Sequence, residues 1–270
     1  MVRRVERRCC IGRTRSPGYE LLITNDERGV AHGDTSGGPE ARHVRLVRRR
    51  RRMNVTGLKC ADLVDAMGRM HRHRCHILDL VSPTPGRVLF GPAVTISYFP
   101  SCSAALDPER YNLADLFYEA VGDEPAGKVI VLASNGYTDT SMGGGTKLLR
   151  LQQNRCAGVL TDGRLRDFDE LARYDFAAYC SGEATRWGGD HVTPFQANVP
   201  VVLDRVGVMP GHYVFADSSG AVVIPDVQIE EVLAEARKVE AADAADRDQI
   251  AREQIRDKPK PVRSRERRSS

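Results

Sequence analysis

The chain has 270 residues, of which 41% are hydrophobic and 28% charged, a balance typical of a globular protein. No segment approaches the roughly 18 unbroken apolar residues of a membrane helix, and the basic N-terminus lacks the apolar block of a signal peptide. The seven cysteines are scattered without a Cys-x-x-Cys spacing, which favours reduced thiols. We therefore expect a cytoplasmic protein that has no membrane partner.

The net charge of +4 is divided unevenly along the chain. Residues 1–52 hold 14 Arg against six acidic residues, and residues 256–270 hold seven Lys or Arg against two, so these ends carry +8 and +5. The residues between them must then carry −9. A nucleic-acid-binding face neutralises phosphates with clustered Lys and Arg, so the acidic centre argues against nucleic acid as a partner.

Three segments are predicted from these patterns. Residues 1–52 have no sustained apolar period and end in the run Arg48–Arg52, which predicts a basic, disordered arm, or a sequence that lies upstream of a true start at Met53. An arm that binds nucleic acid or another polyanion is the alternative. Residues 53–255 are predicted to form one α/β domain, and residues 256–270 a second basic, disordered tail.

Within residues 53–255, helical periodicity alternates with short apolar runs between Gly and Pro residues. Helices are predicted at 58–68, 113–121, 146–154, 167–171 and 226–254. Strands are predicted at 88–90, 93–98, 128–133, 158–161, 176–180, 199–203, 213–216 and 221–224. The mixture of β-α-β units with later short strands indicates a layered α/β domain.

The most informative stretch runs from Val129 to Glu170. A buried strand leads into a polar loop, the glycines at 143–145 open a helix, and the sequence TDGRLRD follows one strand later. Free amides at a helix N-terminus bind anions, and glycines let a ligand approach the backbone. Arg166 offers a planar fork for a carboxylate, and Asp167 offers a hard oxygen ligand for Mg²⁺. The alternative is an ordinary loop with a local ion pair.

The TDGRLRD motif resembles the RraA-like family, which includes the divalent-metal-dependent 4-hydroxy-4-methyl-2-oxoglutarate aldolases. The segment 198–225, NVPVVLDRVGVMPGHYVFADSSGAVVIP, is similar to the closing strands of that family. The likeness covers about residues 55–250 and begins with LKCADLVDAMG. It implies a compact α/β/α sandwich, assembled as a homotrimer or a dimer of trimers with active sites at the subunit boundaries.

The same resemblance implies a set of site residues. Arg166 and Asp167 are expected to be catalytic, with Arg166 contacting a pyruvate moiety and Asp167 binding the metal, which is Mg²⁺ with Mn²⁺ as the alternative. The backbone that binds the pyruvate moiety is implied to be that of Gly144, Gly145, Thr146 and Lys147.

One position departs from the family pattern. The aldolases usually place an acidic residue 21 positions before the Arg of the Arg-Asp pair, and this chain has Gly145 there. In the family that acid is thought to help hold water around the metal. Asp139, Asp162 or Asp169 could compensate, and an acid restored at position 145 is expected to raise turnover of small 2-oxo acids if its absence limits catalysis.

The predicted function is a metal-dependent aldolase or decarboxylase that acts on a small 2-oxo acid and releases pyruvate. Its substrate would be 4-hydroxy-4-methyl-2-oxoglutarate, with oxaloacetate decarboxylation as a side activity, since both reactions pass through the same enolate. A water near the metal would serve as the base for the distal hydroxyl. The alternative is a non-catalytic regulator that binds a ribonuclease E-like partner, as other RraA proteins do.

The residues of the other candidate sites give weaker evidence for a function. The order Gly-Thr-Lys at 145–147 is not that of a phosphate-binding loop. The cluster His71, His73, Cys75 and His76 lies among arginines, which would repel a metal ion. His191, after two glycines, is a candidate pocket residue, and Trp187 is expected to pack or form a pocket wall. No glycine-rich cofactor motif supports a methyltransferase.

The basic N-terminal segment yields a stability prediction. Because residues 1–52 have little periodic apolar surface to bury, removing them should leave the folded domain intact. A protein that starts at Met53 is expected to melt at the same temperature as the full chain in differential scanning calorimetry. A loss of several degrees on truncation would show that the arm packs on the domain.

Overall fold

The computed structural model describes residues 53–70, 74–102 and 104–253, with only the backbone at Asp190. The chain divides into two units between Asn54 and Val55, and the description below concerns the second. The tails predicted at 1–52 and 256–270 lie outside the described residues, so the domain boundaries stay predictions. In the part of the chain that is described, no helix is long and apolar enough to cross a membrane.

The second unit contains five α-helices and twelve strands within its described residues. The helices are α1 (Cys60–Met70), α2 (Leu113–Val121), α3 (Gly145–Gln153), α4 (Phe168–Leu171) and α5 (Ile229–Arg252). The strands are β1 (His76–Ile77), β2 (Leu89–Pro100), β3 (Val129–Ala133), β4 (Ser141–Gly143), β5 (Gly158–Thr161), β6 (Arg164–Leu165), β7 (Ala177–Tyr179), β8 (Val192–Ala197), β9 (Val201–Leu203), β10 (Val206–Val208), β11 (Tyr213–Asp217) and β12 (Gly220–Ile224).

A mixed central sheet organises the domain, with its main strands in the order β1-β12-β11-β2-β3-β5-β7 and β8 paired to β2. The run from β2 to β7 is parallel, and β11, β12 and β1 continue the sheet in antiparallel pairs. Two small ladders lie outside this sheet: β4 and β6 pair in parallel, and β9 and β10 pair antiparallel. A mixed α/β domain with a central sheet and helices, as predicted, is confirmed.

The two faces of the sheet bury separate apolar clusters, because successive side chains of a strand point to opposite faces. In β3, where every residue is buried, Ile130 and Leu132 face one cluster while Val129 and Val131 face the other. Helices α2, α3 and α4 cover the first cluster, and the β9–β10 hairpin covers the second. Helices α1 and α5 pack on each other, and α1 lies against β11 and β12. One outer layer therefore includes a β-hairpin.

Helix α2 shows how local sequence sets an element. The side chain of Asn112 caps the helix by accepting a 3.0 Å hydrogen bond from the amide of Asp115. Five apolar residues that recur at the helical period are buried, namely Leu113, Leu116, Phe117, Ala120 and Val121. Gly122, with a φ of 55°, ends the helix. The observed bounds equal the predicted ones.

Strand β2 differs from its prediction, which placed two strands on either side of Gly91-Pro92. The strand is continuous from Leu89 to Pro100, because β11 pairs with it up to Pro92 and β3 pairs with it from Ala93. Gly91 pairs with Val214 of β11, and the amide of Ala93 donates to the carbonyl of His212 at 2.7 Å. The backbone at position 91 lies close to the backbone of Gly127. Glycine is required at position 91, because a Cβ there would overlap the Gly127 carbonyl oxygen.

This contact yields a paired prediction on stability. Gly91→Ala should lower the free energy of unfolding by about 1–3 kcal/mol, because the backbone of Gly127 must move to admit the methyl group. Gly68→Ala, in the exposed part of α1 with nothing within 4 Å of the added Cβ, should instead raise it by about 0.5–1 kcal/mol. Urea unfolding measures both changes, and equal values for the two variants would contradict this account.

Candidate active site

The segments that carry the glycines and the Arg-Asp pair follow the parallel strands β3 and β5 along the chain. Polar loops follow both strands, and the amide of Ser134 after β3 donates to Oδ1 of Asp162 after β5 at 2.8 Å. Burial raises the pKa of Asp162, against the opposing effect of this hydrogen bond. The carboxyl ends of neighbouring parallel strands are where open α/β sheets bind ligands.

A short parallel ladder then aligns the glycines with the Arg-Asp pair. Strand β4 pairs with β6, so that Gly143 lies opposite Leu165, and the amide of Arg166 donates to the carbonyl of Gly143 at 2.9 Å. The chain leaves this ladder into α3 on one side and into α4 on the other. Residues 20 or more positions apart in sequence thus come together at two helix N-termini.

Asp167 contacts the backbone at the start of α3. Its Oδ2 accepts a 3.0 Å hydrogen bond from the amide of Gly145. A Cβ on Gly144 would lie 2.5 Å from that oxygen, so position 144 must be glycine for the carboxylate to sit there. Asp167 itself has the left-handed backbone φ 62°, ψ 48°, which costs a non-glycine residue about 1–3 kcal/mol.

The N-terminus of α3 presents amides to the site. Gly144 is its N-cap and carries no capping side chain. The amides of Thr146 and Lys147 donate to no acceptor among the described residues, as is usual in the first turn of a helix. Such amides, with the positive end of the helix dipole, favour an anion.

One cavity joins these features. It has a volume of about 470 Å³, and Gly144, Thr146, Lys147, Arg166 and Asp167 all line it. The rest of its wall is mostly apolar or aromatic and consists of Tyr98, Pro108, Tyr111, Asn112, Leu113, Ser141, Met142, Gly143, Trp187, Gly188, Gly189, Val192, Thr193 and Pro194. A second cavity of about 540 Å³ shares Arg166 and Asp167 and extends along residues 183–186. The site residues predicted from sequence are therefore adjacent, and their roles stay predictions.

The cavity is positively charged beside its one lining carboxylate. Desolvation lowers the pKa of Lys147, and the neighbouring positive charges of Arg150 and Arg166 lower it further. Within the described residues, the Arg166 guanidinium forms no ion pair. An anionic ligand would relieve the repulsion between these cations.

Glu170 is a residue that sequence reasoning missed. A Cβ built on Gly145 would overlap its carboxylate, so Glu170 fills the space of a side chain at position 145. The Tyr174 hydroxyl donates to Glu170 Oε1 at 2.5 Å and lies 3.2 Å from the Gly145 carbonyl. Burial and then Glu170 raise the pKa of Tyr174 to about 12. The available signal was spacing, since positions 167 and 170 lie one helical turn apart.

The three acids considered as substitutes lie elsewhere. Asp139 pairs with Arg186 at 2.6 Å, Asp162 binds the Ser134 amide, and Asp169 is exposed. The three heavy atoms nearest to a Cβ at Gly145 belong to Glu170 instead.

The remaining candidates are Trp187, His191 and the cluster His71, His73, Cys75 and His76. Trp187 lines the cavity, in agreement with its prediction as a pocket wall, whereas His191 is exposed and does not line it. His71 and His73 lie outside the described residues. Among the residues that are described, no three His, Cys, Asp or Glu side chains group as a metal cluster.

Comparison with known proteins identifies the family. The model of the RraA-like family, Aldolase/RraA, matches residues 60–223, and the chain belongs to this family. A putative 4-hydroxy-4-methyl-2-oxoglutarate aldolase of Halalkalibacterium halodurans is 31% identical over 134 residues, which cover 50% of this chain and 62% of the relative. Protein DlpA of Legionella pneumophila is 26% identical over 184 residues, 67% of this chain and 28% of that protein. The chain thus spans less than two thirds of either relative.

Solved structures share the fold. A protein of uncharacterised function from Pseudomonas syringae pv. tomato matches with a TM-score of 0.63 and 25% identity, over 73% of this chain and 86% of that one. RraAS2 of Streptomyces coelicolor, described as an unusual member of the RNase ES inhibitor RraA family, matches with a TM-score of 0.64 and 22% identity, over 72% and 95%. The α/β fold of this domain is therefore that of RraA-like proteins.

The electrostatics of the cavity yield a labelling prediction. Because the pKa of Lys147 is lowered, a larger fraction of its amine is uncharged at pH 8 than at an ordinary lysine. Acetic anhydride at pH 8 should therefore acetylate Lys147 faster than Lys238, whose ammonium pairs with Glu235 at 2.9 Å. Arg150→Gln removes one of the charges responsible and should slow labelling of Lys147 alone. Peptide mass spectrometry gives the rates, and a Lys147 slower than Lys238 would contradict the prediction.

Proposed function

We propose that this domain is a divalent-metal-dependent carbon–carbon lyase that cleaves a 2-oxo acid and releases pyruvate. The observation that carries the proposal is the meeting of three features in one 470 Å³ cavity: the amides that begin α3, the Arg166 guanidinium and the Asp167 carboxylate. Membership of the Aldolase/RraA family and the names of the curated relatives support the same reaction class.

The residues fit a divalent cation such as Mg²⁺, with Mn²⁺ as the alternative. Asp167 is exposed to the cavity, and only its Oδ2 accepts a hydrogen bond from a described residue. Mg²⁺ usually takes one or two carboxylates and keeps several waters or substrate oxygens, so a dedicated cage of side chains is not needed. Asp167 would hold the ion, which would supply Lewis-acid polarisation of the 2-oxo group.

The protein groups would bind and orient the pyruvate half of the substrate. Arg166 can take the carboxylate in two parallel hydrogen bonds, which fixes the plane of the 2-oxo acid. The amides of Thr146 and Lys147 then point at the oxygen on which enolate charge develops, and stabilise that charge without reorganising. The apolar wall of the cavity reduces the water around these groups, which strengthens each interaction.

Retro-aldol cleavage and oxaloacetate decarboxylation both depend on stabilising the pyruvate enolate. In the retro-aldol direction the distal hydroxyl loses its proton to a water, and its oxygen forms a double bond to C4. The bond between C3 and C4 breaks, its electrons enter the pyruvate enolate, and C4 leaves as part of a second carbonyl compound. Loss of CO₂ from oxaloacetate gives the same enolate, so the same groups support both reactions. Protonation at C3 completes the release of pyruvate in each case.

A non-catalytic regulator of a ribonuclease E-like partner is the second candidate function. The observation that favours it is Gly145, which stands where the resemblance implies an acidic residue that helps hold water around the metal. The assembly is also a proposal: a homotrimer or a dimer of trimers would place each cavity beside a neighbouring subunit.

The reaction is tested by coupled detection of pyruvate. Protein supplied with 4-hydroxy-4-methyl-2-oxoglutarate or oxaloacetate should release pyruvate with Mg²⁺ and stop when EDTA is added. Asp167→Asn should lower kcat/KM by about 10²–10³-fold, as loss of a central electrostatic group does. Arg166→Lys keeps the charge but loses the planar fork, so pyruvate binding should weaken about 10- to 150-fold, equivalent to about 1.5–3 kcal/mol.

Asp169→Asn is the matched control, because Asp169 is an exposed acid in the same helix. It should leave turnover within a factor of two. Wild-type protein that releases no pyruvate from either substrate with Mg²⁺ would overturn the lyase proposal and favour the regulator.

A further inference from the structure

We propose that the cavity selects 2-oxo acids whose distal substituent is uncharged and aromatic, and that Tyr111 and Trp187 contact that substituent. The inference rests on the proposed function and deepens it by naming the class of substrate. The pyruvate half would bind at Arg166, and an aryl group on C4 would lie against an uncharged wall of the same cavity. This uncharged wall is formed by Tyr111, Leu113, Met142, Trp187, Val192 and Pro194.

The first observation is where the charged groups of the cavity lie. Among the side chains that the structure describes, the charged ones in the lining are Lys147, Arg166 and Asp167, which belong to the start of α3 or the turn before α4. These two segments meet through the hydrogen bond from the Gly145 amide to Asp167. The carboxylate of one 2-oxo acid would offset the repulsion between the two cations. The described residues of the remaining lining hold no cation for a second carboxylate.

The second observation is that most polar side chains beside the uncharged wall already have partners within the protein. The hydroxyls of Tyr98 and Ser141 donate to backbone carbonyls at 2.6 and 2.9 Å. Thr193 shares a 3.2 Å hydrogen bond with Ser101, and Asn112 caps α2. A charged or strongly polar substituent would lose its hydrogen bonds to water there and gain few in return, which disfavours it relative to an apolar one.

The third observation is that aromatic rings are held in this wall. Tyr111 stacks on Phe195, with ring centroids 5.5 Å apart and an interplanar angle of 22°. A Cβ on Gly189 would overlap the Trp187 ring, so glycine at that position lets the indole lie across the backbone. The Trp187 side chain is nevertheless 56% exposed, which leaves ring surface for a ligand. Aromatic pairs gain free energy beyond the burial of their area, so an aryl group fits this wall better than an alkyl group.

The size of the cavity agrees with a bulky substituent. Its volume of about 470 Å³ lies within the range of about 300–1,000 Å³ that is usual for sites of drug-sized ligands. A pyruvate unit at the start of α3 would leave much of the uncharged wall in contact with water. An aryl group would displace that water, and the free energy gained grows with the apolar area removed from solvent.

The simplest substrate of this class is 4-hydroxy-2-oxo-4-phenylbutanoate. Its C4 hydroxyl loses a proton to a water and becomes the oxygen of benzaldehyde. The bond between C3 and C4 breaks, its electrons form the pyruvate enolate, and C3 then takes up a proton. Pyruvate and benzaldehyde together contain every atom of the substrate, so the reaction needs no oxidant or second substrate.

Binding can be measured without turnover, because Trp187 is the only tryptophan of the chain. The probe is 2-oxo-4-phenylbutanoate, which lacks the C4 hydroxyl and cannot undergo retro-aldol cleavage. Its matched control is 2-oxopentanoate, which has a methyl group in place of the phenyl ring. With Mg²⁺ present, the phenyl compound should change the Trp187 fluorescence and bind with a Kd about 10- to 100-fold lower than the control. Equal Kd values would overturn the inference.

Variants at position 187 test the contact itself, with isothermal titration calorimetry as the readout. Trp187→Ala should raise the Kd of 2-oxo-4-phenylbutanoate about tenfold and leave that of 2-oxopentanoate within a factor of two. Trp187→Phe keeps an aromatic ring and should retain most of the preference. Tyr118→Ala removes a side chain that is 54% exposed and does not line the cavity, so it should change neither Kd. An unchanged preference in Trp187→Ala would contradict the proposed contact.

Turnover separates this inference from the proposed function. With Mg²⁺, 4-hydroxy-2-oxo-4-phenylbutanoate should give pyruvate and benzaldehyde in equal amounts, with kcat/KM about tenfold or more above that of 4-hydroxy-2-oxopentanoate. It should also exceed that of 4-hydroxy-4-methyl-2-oxoglutarate. A preference for this dicarboxylate would overturn the inference and leave the lyase intact. Tighter binding of the phenyl compound without pyruvate release from any substrate would support the ligand class and contradict the lyase.

Discussion

The hydrogen bond between the Gly145 amide and the Asp167 carboxylate is the contact on which the site depends. It joins the N-terminus of α3 to the N-terminus of α4, and it forms only because the β4–β6 ladder brings the two segments side by side. Gly144 leaves room for this contact because it has no side chain, and a methyl group there would displace the carboxylate. The glycines at 143–145 thus allow the Asp167 side chain to approach the backbone at the start of α3 closely. The φ of −143° at Gly144 is one that other residues adopt.

The charges at this junction explain why it suits a ligand of mixed charge. The helix dipole of α3, Arg166 and Lys147 together attract an anion, and their mutual repulsion contributes to the lowered pKa of Lys147. The Asp167 carboxylate lines the same cavity and attracts a cation. Under the proposed function, a 2-oxo acid chelated to a divalent ion would present both charges at once, a carboxylate for Arg166 and the ion for Asp167.

Sequence reasoning succeeded where the pattern is local. Helix α2 carries its own cap and its own apolar period, and β5 is a short apolar run between turns, so both were predicted with the observed bounds. The sequence predictions were wrong for strands whose bounds depend on pairing with a neighbouring strand. Strand β2 continues through Gly91-Pro92 because β11 holds it, and β8, with Pro194 and mixed polarity, is a strand only through its irregular pairing with β2.

The same distinction applies to the site. The motif of residues 161–167 is contiguous and was recognised, and the structure brings its Arg166 and Asp167 to the predicted helix start. Glu170 depends on how α4 packs against α3, and no one-dimensional spacing relates it to Gly145. Sequence alone therefore read position 145 as the loss of an acid, whereas the fold shows a carboxylate in that space.

The short helix α4 shows what holds these acids in place. Four residues are too few for a helix to be stable alone, and its N-cap, Asp167, adopts a left-handed conformation that costs about 1–3 kcal/mol. Tertiary contacts must supply the difference: Leu171 is fully buried, and the Phe168 amide donates to Glu183 at 3.0 Å. The backbone that carries the two carboxylates is consequently held in place by the packed core.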